Sequence, residues 1–149
     1  MHVSYAHATC ADVTNAGIAG AFIDVVRWRH DEGKEDFAII DCSIGVEGSG
    51  PHVPPVNPGK TIDIKQRSNG RHYYLLASRD FVALDTVVAR AMNFATVKQL
   101  EIAERLGLGQ TSGIILQGAD PYELLIPNWK KPHRMSDDFF LFLDKYFHA

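Results

Sequence analysis

Apolar positions recur with a helical period in some stretches and a strand period in others, and the order of the two predicts the elements. From about Asp12 to Arg29, residues Ile18, Ala21, Phe22, Val25 and Val26 fall at i, i+3, i+4, i+7 and i+8, one helical stripe. Asp24, Arg27 and Arg29 take the remaining surface, and Gly33 in the polar stretch after it is free to adopt a positive φ. Phe37-Ala38-Ile39-Ile40 is a short apolar run ending on an acid, Asp41, and predicts a central strand. A loop follows, with Gly45, Glu47, Gly48, Ser49, Gly50 and a closing Pro51. His52 to Lys60 holds too much proline and glycine for a helix or a central strand, and predicts an excursion of that loop in the position of a lid.

Thr61 to Lys65 alternates as a short edge strand, Ser68-Asn69-Gly70 is a turn, and His72 to Ser78 is a second strand. A second helix is expected from Phe81 to about Asn93, capped by Asp80 or Ser78. Its apolar face carries Phe81, Leu84, Val88, Ala91 and Met92, with Thr86 and Arg90 pointing away. Asp85 sits on the edge of that arc, where a carboxylate needs a partner. Thr96 to Gln99 has capping-box spacing for a third helix ending at Gly107, and Gly113 to Gly118 reads as a third strand. Ser136 caps a last helix with Phe139, Phe140, Leu143, Tyr146 and Phe147 on its buried side, and Trp28 and Trp129 read as core. Helices alternating with strands predict an α/β fold, a small, largely parallel or mixed sheet with flanking helices.

Composition narrows the class. A chain of 149 residues predicts a single domain, 1–149. A net charge of -3 argues against nucleic-acid and membrane-surface partners, and no apolar run is long enough to span a bilayer. The N-terminal stretch lacks the basic start and apolar core of a signal peptide. Cys10 and Cys42 form no CxxC, which points to a reducing, cytoplasmic setting and to no iron–sulfur cluster ligated by this chain alone.

The candidate chemistry lies in four acids and the glycine loop. Were the strands ending at Asp41 and Ser78 parallel neighbours, Asp41 would meet Asp80 and Asp85 at one sheet edge, with Glu47 reaching in from the loop. Converging carboxylates suit a hard cation, Mg²⁺ or Mn²⁺, with Asp41, Glu47, Asp80 and Asp85 as ligands. Alternatively Asp41, Glu47 or Asp85 acts as a catalytic general base. The plainer reading makes Asp80 an N-cap, ties Asp85 to loop backbone and puts Asp41 in a turn. Gly45, Gly48, Ser49 and Gly50 allow backbone amides to face a small anionic molecule, and Lys60 is placed to clamp it. Their spacing matches neither GxGxxG nor the P-loop. Cys42 reads as a small buried residue rather than a nucleophile.

IIDCSIGVEGSGP, then LLASRDFVALDTVVARAMNF, then ERLGLG resembles the C-terminal part of the domain of unknown function 362 family. The matching residues are Asp41, Gly45, Glu47, Gly48, Gly50, Pro51, Ser78, Asp80, Val82, Ala83, Asp85, Gly107 and Gly109. Phe81 stands where that family usually has proline, and Cys42-Ser43 replaces a more usual glycine-containing pair. The front part of the family domain has no counterpart, so the chain is expected to be an N-terminally truncated version of it. The resemblance implies an α/β domain often linked to ferredoxin-like iron–sulfur proteins. Two functions follow as expectations: a divalent-metal or anion-dependent enzyme, or a non-catalytic accessory module working with an iron–sulfur protein or as a homo-oligomer.

Overall fold

The computed structural model describes residues 14–33, 37–48, 59–95 and 97–131. In chain order they form α1 (Thr14–Asp31), β1 (Ala38–Cys42), β2 (Ile44–Glu47), β3 (Lys60–Asp63), α2 (Ile64–Arg67), β4 (Tyr74–Ser78), α3 (Phe81–Ala91), α4 (Lys98–Arg105) and α5 (Pro121–Leu124). The helix–strand mixture is as expected, but the sheet is not. β1 pairs with β4 and β2 with β3, both antiparallel, as two separate two-stranded ribbons. A parallel pair needs a crossover of a dozen or more residues, usually a helix that packs on the sheet. Between β1 and β4 the described chain supplies β2, β3 and the single helical turn of α2, none of which serves as such a crossover.

The break between β1 and β2 is local. The Ser43 amide donates to Asp41 Oδ1 at 2.9 Å, and the Ser43 carbonyl accepts the Ile64 amide at 3.0 Å, where β3 turns into α2. Thr61 to Lys65 is therefore strand only as far as Asp63.

α3 is the hub of the packing. Val82 joins Ile23 of α1 and Ile102, Ala103 and Leu108 at and after α4 in one cluster. Val87 and Ala91 meet Leu124, with Tyr74 and Leu76 from the inner face of β4 packed against them. Met92, just past the helix, reaches a third cluster of Ile62, Ile64 and Ile126, where Trp129 also lies. A helix gripped on so many sides buries Thr86 as well, contrary to its expected outward position. Its hydroxyl is satisfied at 2.7 Å by the Val82 carbonyl one turn back, which is what allows a polar side chain there. Asp85 is exposed, and so, on a different part of the helix surface, is Arg90.

Helix ends follow local rules. α3 closes on Asn93 (φ 61), with Phe94 N–H bonded to Ala89 O and Asn93 N–H to Arg90 O. α4 closes the same way on Gly107 (φ 73), with Leu108 N–H bonded to Ala103 O and Gly107 N–H to Glu104 O. Both are Schellman motifs, and Leu108 packs in one cluster with Ala103 as that motif favours. Residues 113–118 form no strand: Ile114 and Leu116 pack inward and Ile115 outward, a period of two without a paired neighbour. Trp28 is exposed rather than core, whereas Trp129 is partly buried as expected. The side chains of Ile18, Ala21 and Phe22, the excursion 52–58, Thr96 and the helix expected after Ser136 lie outside the described residues. Among the described residues, no helix is long and apolar enough to cross a membrane.

Candidate functional site

Antiparallel pairing decides where the acids stand. Asp41 is the register partner of Leu75 near the start of β4, while Asp80 lies just beyond Ser78 at its other end. At about 3.3 Å of rise per residue, the two are roughly 17 Å apart along the ribbon. Asp80 is also fully engaged. Its Oδ1 accepts the Ala83 amide at 2.8 Å as the N-cap of α3, and its Oδ2 accepts the Gln110 amide at 2.9 Å. Ser78 Oγ in turn accepts the Asp80 amide at 2.9 Å. Gly109 lets the loop come this close, since a Cβ there would meet Asp80 Oδ1 and lie 2.7 Å from Val82 Cβ. Three residues of the family-like motifs, Ser78, Asp80 and Gly109, thus form one structural joint.

Glu47 is 1% exposed. Its Oε2 accepts the Lys130 amide at 3.2 Å and faces Arg67 Nη2 at 3.4 Å. Arg67 donates on to the carbonyls of Pro127 (3.4 Å) and Asn128 (3.1 Å). The turn it grips has Pro127 followed by Asn128 at φ 60, a type II arrangement. Glu47 is therefore the anchor by which the Ile126–Lys130 segment is held to β2. Sequence reasoning missed Arg67, because its partners are backbone groups about 60 residues away. Only the Pro-Asn pair signals the turn.

Asp85 is exposed, yet the protein mass around α3 still pushes its carboxyl above the usual aspartate range. Among the described residues, no three His, Cys, Asp or Glu side chains come together as a set able to hold a metal ion.

In the glycine loop, Gly45 lies under the Trp129 ring, where a Cβ would stand 2.8 Å from Cη2. Gly48 (φ 85) donates its amide to the Lys130 carbonyl at 2.7 Å, so that N–H is already engaged. Lys60 is exposed at the start of β3, as the register partner of Glu47. Ser49 and Gly50 lie outside the described residues. Burial and then the Asp41 charge push the Cys42 thiol up, the opposite of an activated nucleophile. A groove of about 60 Å³ beside α3 and α4 is lined by Thr86, Arg90, Phe94, Leu100, Glu101 and Thr111. Arg90 there donates to the Thr111 carbonyl at 2.7 Å. Its size suits a water or two rather than a metabolite.

The β1–β4 ribbon carries the more telling feature. Apart from Asp41 and Ser78 both of its strands are apolar, which is close to the pattern of strands covered on both faces. The inner face, with Tyr74 and Leu76, packs against the α3 cluster. On the outer side Ile39 is 63% and Leu75 73% exposed, flanked by Phe37 at 63% and Tyr73 at 56%. Ile39 is the register partner of Ala77 and so the diagonal neighbour of Leu75, with Asp41 directly opposite Leu75. No protein-family model matches the chain, and no curated protein or solved structure matches it either.

Proposed function

We propose that the protein is a non-catalytic binding module whose working surface is the outer face of the β1–β4 ribbon. The observation that supports this is the pairing of two apolar runs whose inner face meets the α3 cluster while, among the described residues, Ile39 and Leu75 on the outer face stay exposed. Scattered apolar residues are ordinary on a protein surface, but neighbouring ones on a single strand pair form a patch that marks an interaction site. The reading as a divalent-metal or anion-dependent enzyme has less support, because the antiparallel ribbon parts Asp41 from Asp80 and the carboxylates of Glu47 and Asp80 have structural partners. The resemblance to the domain of unknown function 362 family enters this proposal as its setting alone: a domain often linked to iron–sulfur proteins.

The test is binding of the dye anilinonaphthalene sulfonate, which brightens on exposed apolar surface, to the dilute chain. Wild type is expected to bind it, and Leu75→Lys or Ile39→Lys to lose most of the signal with an unchanged melting curve. Dye binding that survives both substitutions, or that wild type never shows, would refute this role for the face.

A further inference from the structure

We propose that Asn69 is a site of covalent modification, a spontaneous deamidation whose rate is set by the opening of a clasp between the Ser68–Gly70 turn and α5. The Asn-Gly pair lends itself to this chemistry, because a residue without a Cβ leaves its amide nitrogen open to attack the side chain before it. The Gly70 amide nitrogen attacks Asn69 Cγ and gives up its proton, the side-chain amide leaves as ammonia, and a cyclic imide closes. Water then opens either imide carbonyl, leaving aspartate or the isomer whose backbone runs through the side chain. Water is the sole co-reactant, and Asn69 is exposed to it.

In the fold this attack is held off. α5 is a single turn whose final carbonyls lack helical partners, and the Ser68–Gly70 turn supplies donors to them. The Asn69 amide donates to the Leu125 carbonyl at 2.9 Å and the Gly70 amide to the Glu123 carbonyl at 3.0 Å. Asn69 Nδ2 donates to the Tyr122 carbonyl at 3.1 Å. Both reacting groups are therefore engaged: the Gly70 proton is held against one carbonyl and the leaving amide against another. The Tyr74 hydroxyl also donates to the Glu123 carbonyl, at 3.1 Å. The seat is tight, since a Cβ at Gly70 would meet that hydroxyl and stand 2.8 Å from Glu123 Cβ. Imide closure requires the turn to leave α5 first, a local opening rather than global unfolding. Either product then resists reclosure. Aspartate sets a carboxylate against the Tyr122 carbonyl, two acceptors face to face, and the isomer lengthens the backbone where the seat has no room. The site is thus a one-way latch: once modified, the chain holds α5 and its Leu124 anchor in the α3 cluster less tightly.

The test follows the Asn69 peptide by mass spectrometry while the purified full chain ages at mildly alkaline pH, folded or in urea. Wild type is expected to convert at least about tenfold more slowly folded than in urea, the factor imposed by first breaking a pair of hydrogen bonds. Leu124→Ala, which frees α5, should speed the folded reaction severalfold, and Tyr74→Phe, which removes one bond of the clasp and keeps the ring, should speed it too. Ile102→Ala, a lesion in the separate cluster around α1 and α4, should leave the rate at the wild-type value. Asn69→Asp should melt below wild type. Equal rates in the fold and in urea would overturn the inference, because the clasp would then protect nothing. Equal acceleration by Ile102→Ala and Leu124→Ala would overturn it as well, placing the gate in global unfolding. Asn69→Asp melting together with wild type would overturn the one-way step. Should either core variant not fold, Tyr74→Phe decides: a folded rate unchanged by it removes the gate.

Discussion

The buried carboxylate of Glu47 accepts the backbone amide of Lys130 from 83 residues further along the chain. Together with the Gly48–Lys130 bond and the Arg67 contacts, it fixes the Ile126–Lys130 segment against β2. Removing an acceptor that is 2% exposed at its side chain leaves the Lys130 amide unpaired. Glu47→Ala should therefore lose about 1–3 kcal/mol, the range for a buried donor left unsatisfied. That is a fall of roughly several degrees in Tm for a chain of this length. Glu47→Gln keeps an acceptor and should lose less. Equal stability of all three chains in thermal melts would show that the clasp is not formed.

Two carboxylates give opposite pH dependences. Hydrogen bonds from Thr111, its hydroxyl first and then its amide, hold Glu104 below the usual glutamate range. A depressed folded value stabilises the fold above the unfolded value, and that contribution is lost as pH falls through the folded one. Asp85 has the reverse sign: its raised folded value means that the charged form opposes folding, so this penalty appears as pH rises through that value. Glu104→Gln should lower Tm at neutral pH and flatten the acid limb of the stability curve. Asp85→Asn should raise Tm at neutral pH by roughly a degree or two, modest because the position is exposed. At pH values well below the carboxylate range, Asp85→Asn and wild type should melt together. Melts across pH check both signs.

Burial and the neighbouring Asp41 charge keep the Cys42 thiol protonated at neutral pH. In a Cys10→Ser background, alkylation of Cys42 should be slow at pH 7 and accelerate only above the ordinary thiol range. Rapid labelling at pH 7 would reveal an activated thiolate and reopen the site around Asp41.

What the sequence made legible was what neighbouring residues determine. The Asp80 cap, the extent of α3 and the Gly107 stop of α4 all rest on bonds a few residues long. The apolar strand runs were visible too, since alternation and composition mark strands. Strand direction was not: a run such as Phe37–Ile40 looks the same in either orientation, and direction alone decided whether Asp41 and Asp80 would meet. The side of α3 that faces solvent was misjudged at Thr86 and Asp85 because a hub helix has no single apolar face. Residues 113–118 kept their strand alternation but not a partner. Glu47 was legible as an acid reaching in from the glycine loop, yet its role depended on an amide 83 positions away.

The claim that the ribbon separates its acids and works through its outer face is tested most directly by a melt of the purified chain. It would be run with chelator and then with Mg²⁺ or Mn²⁺. A cation bound at about a hundred times its dissociation constant would stabilise the fold by about 2.7 kcal/mol, a shift of several degrees. The antiparallel arrangement predicts one Tm under all three conditions. A metal-specific rise that Asp41→Asn and Asp80→Asn each remove would contradict it, because those two carboxylates would then have to share one ion.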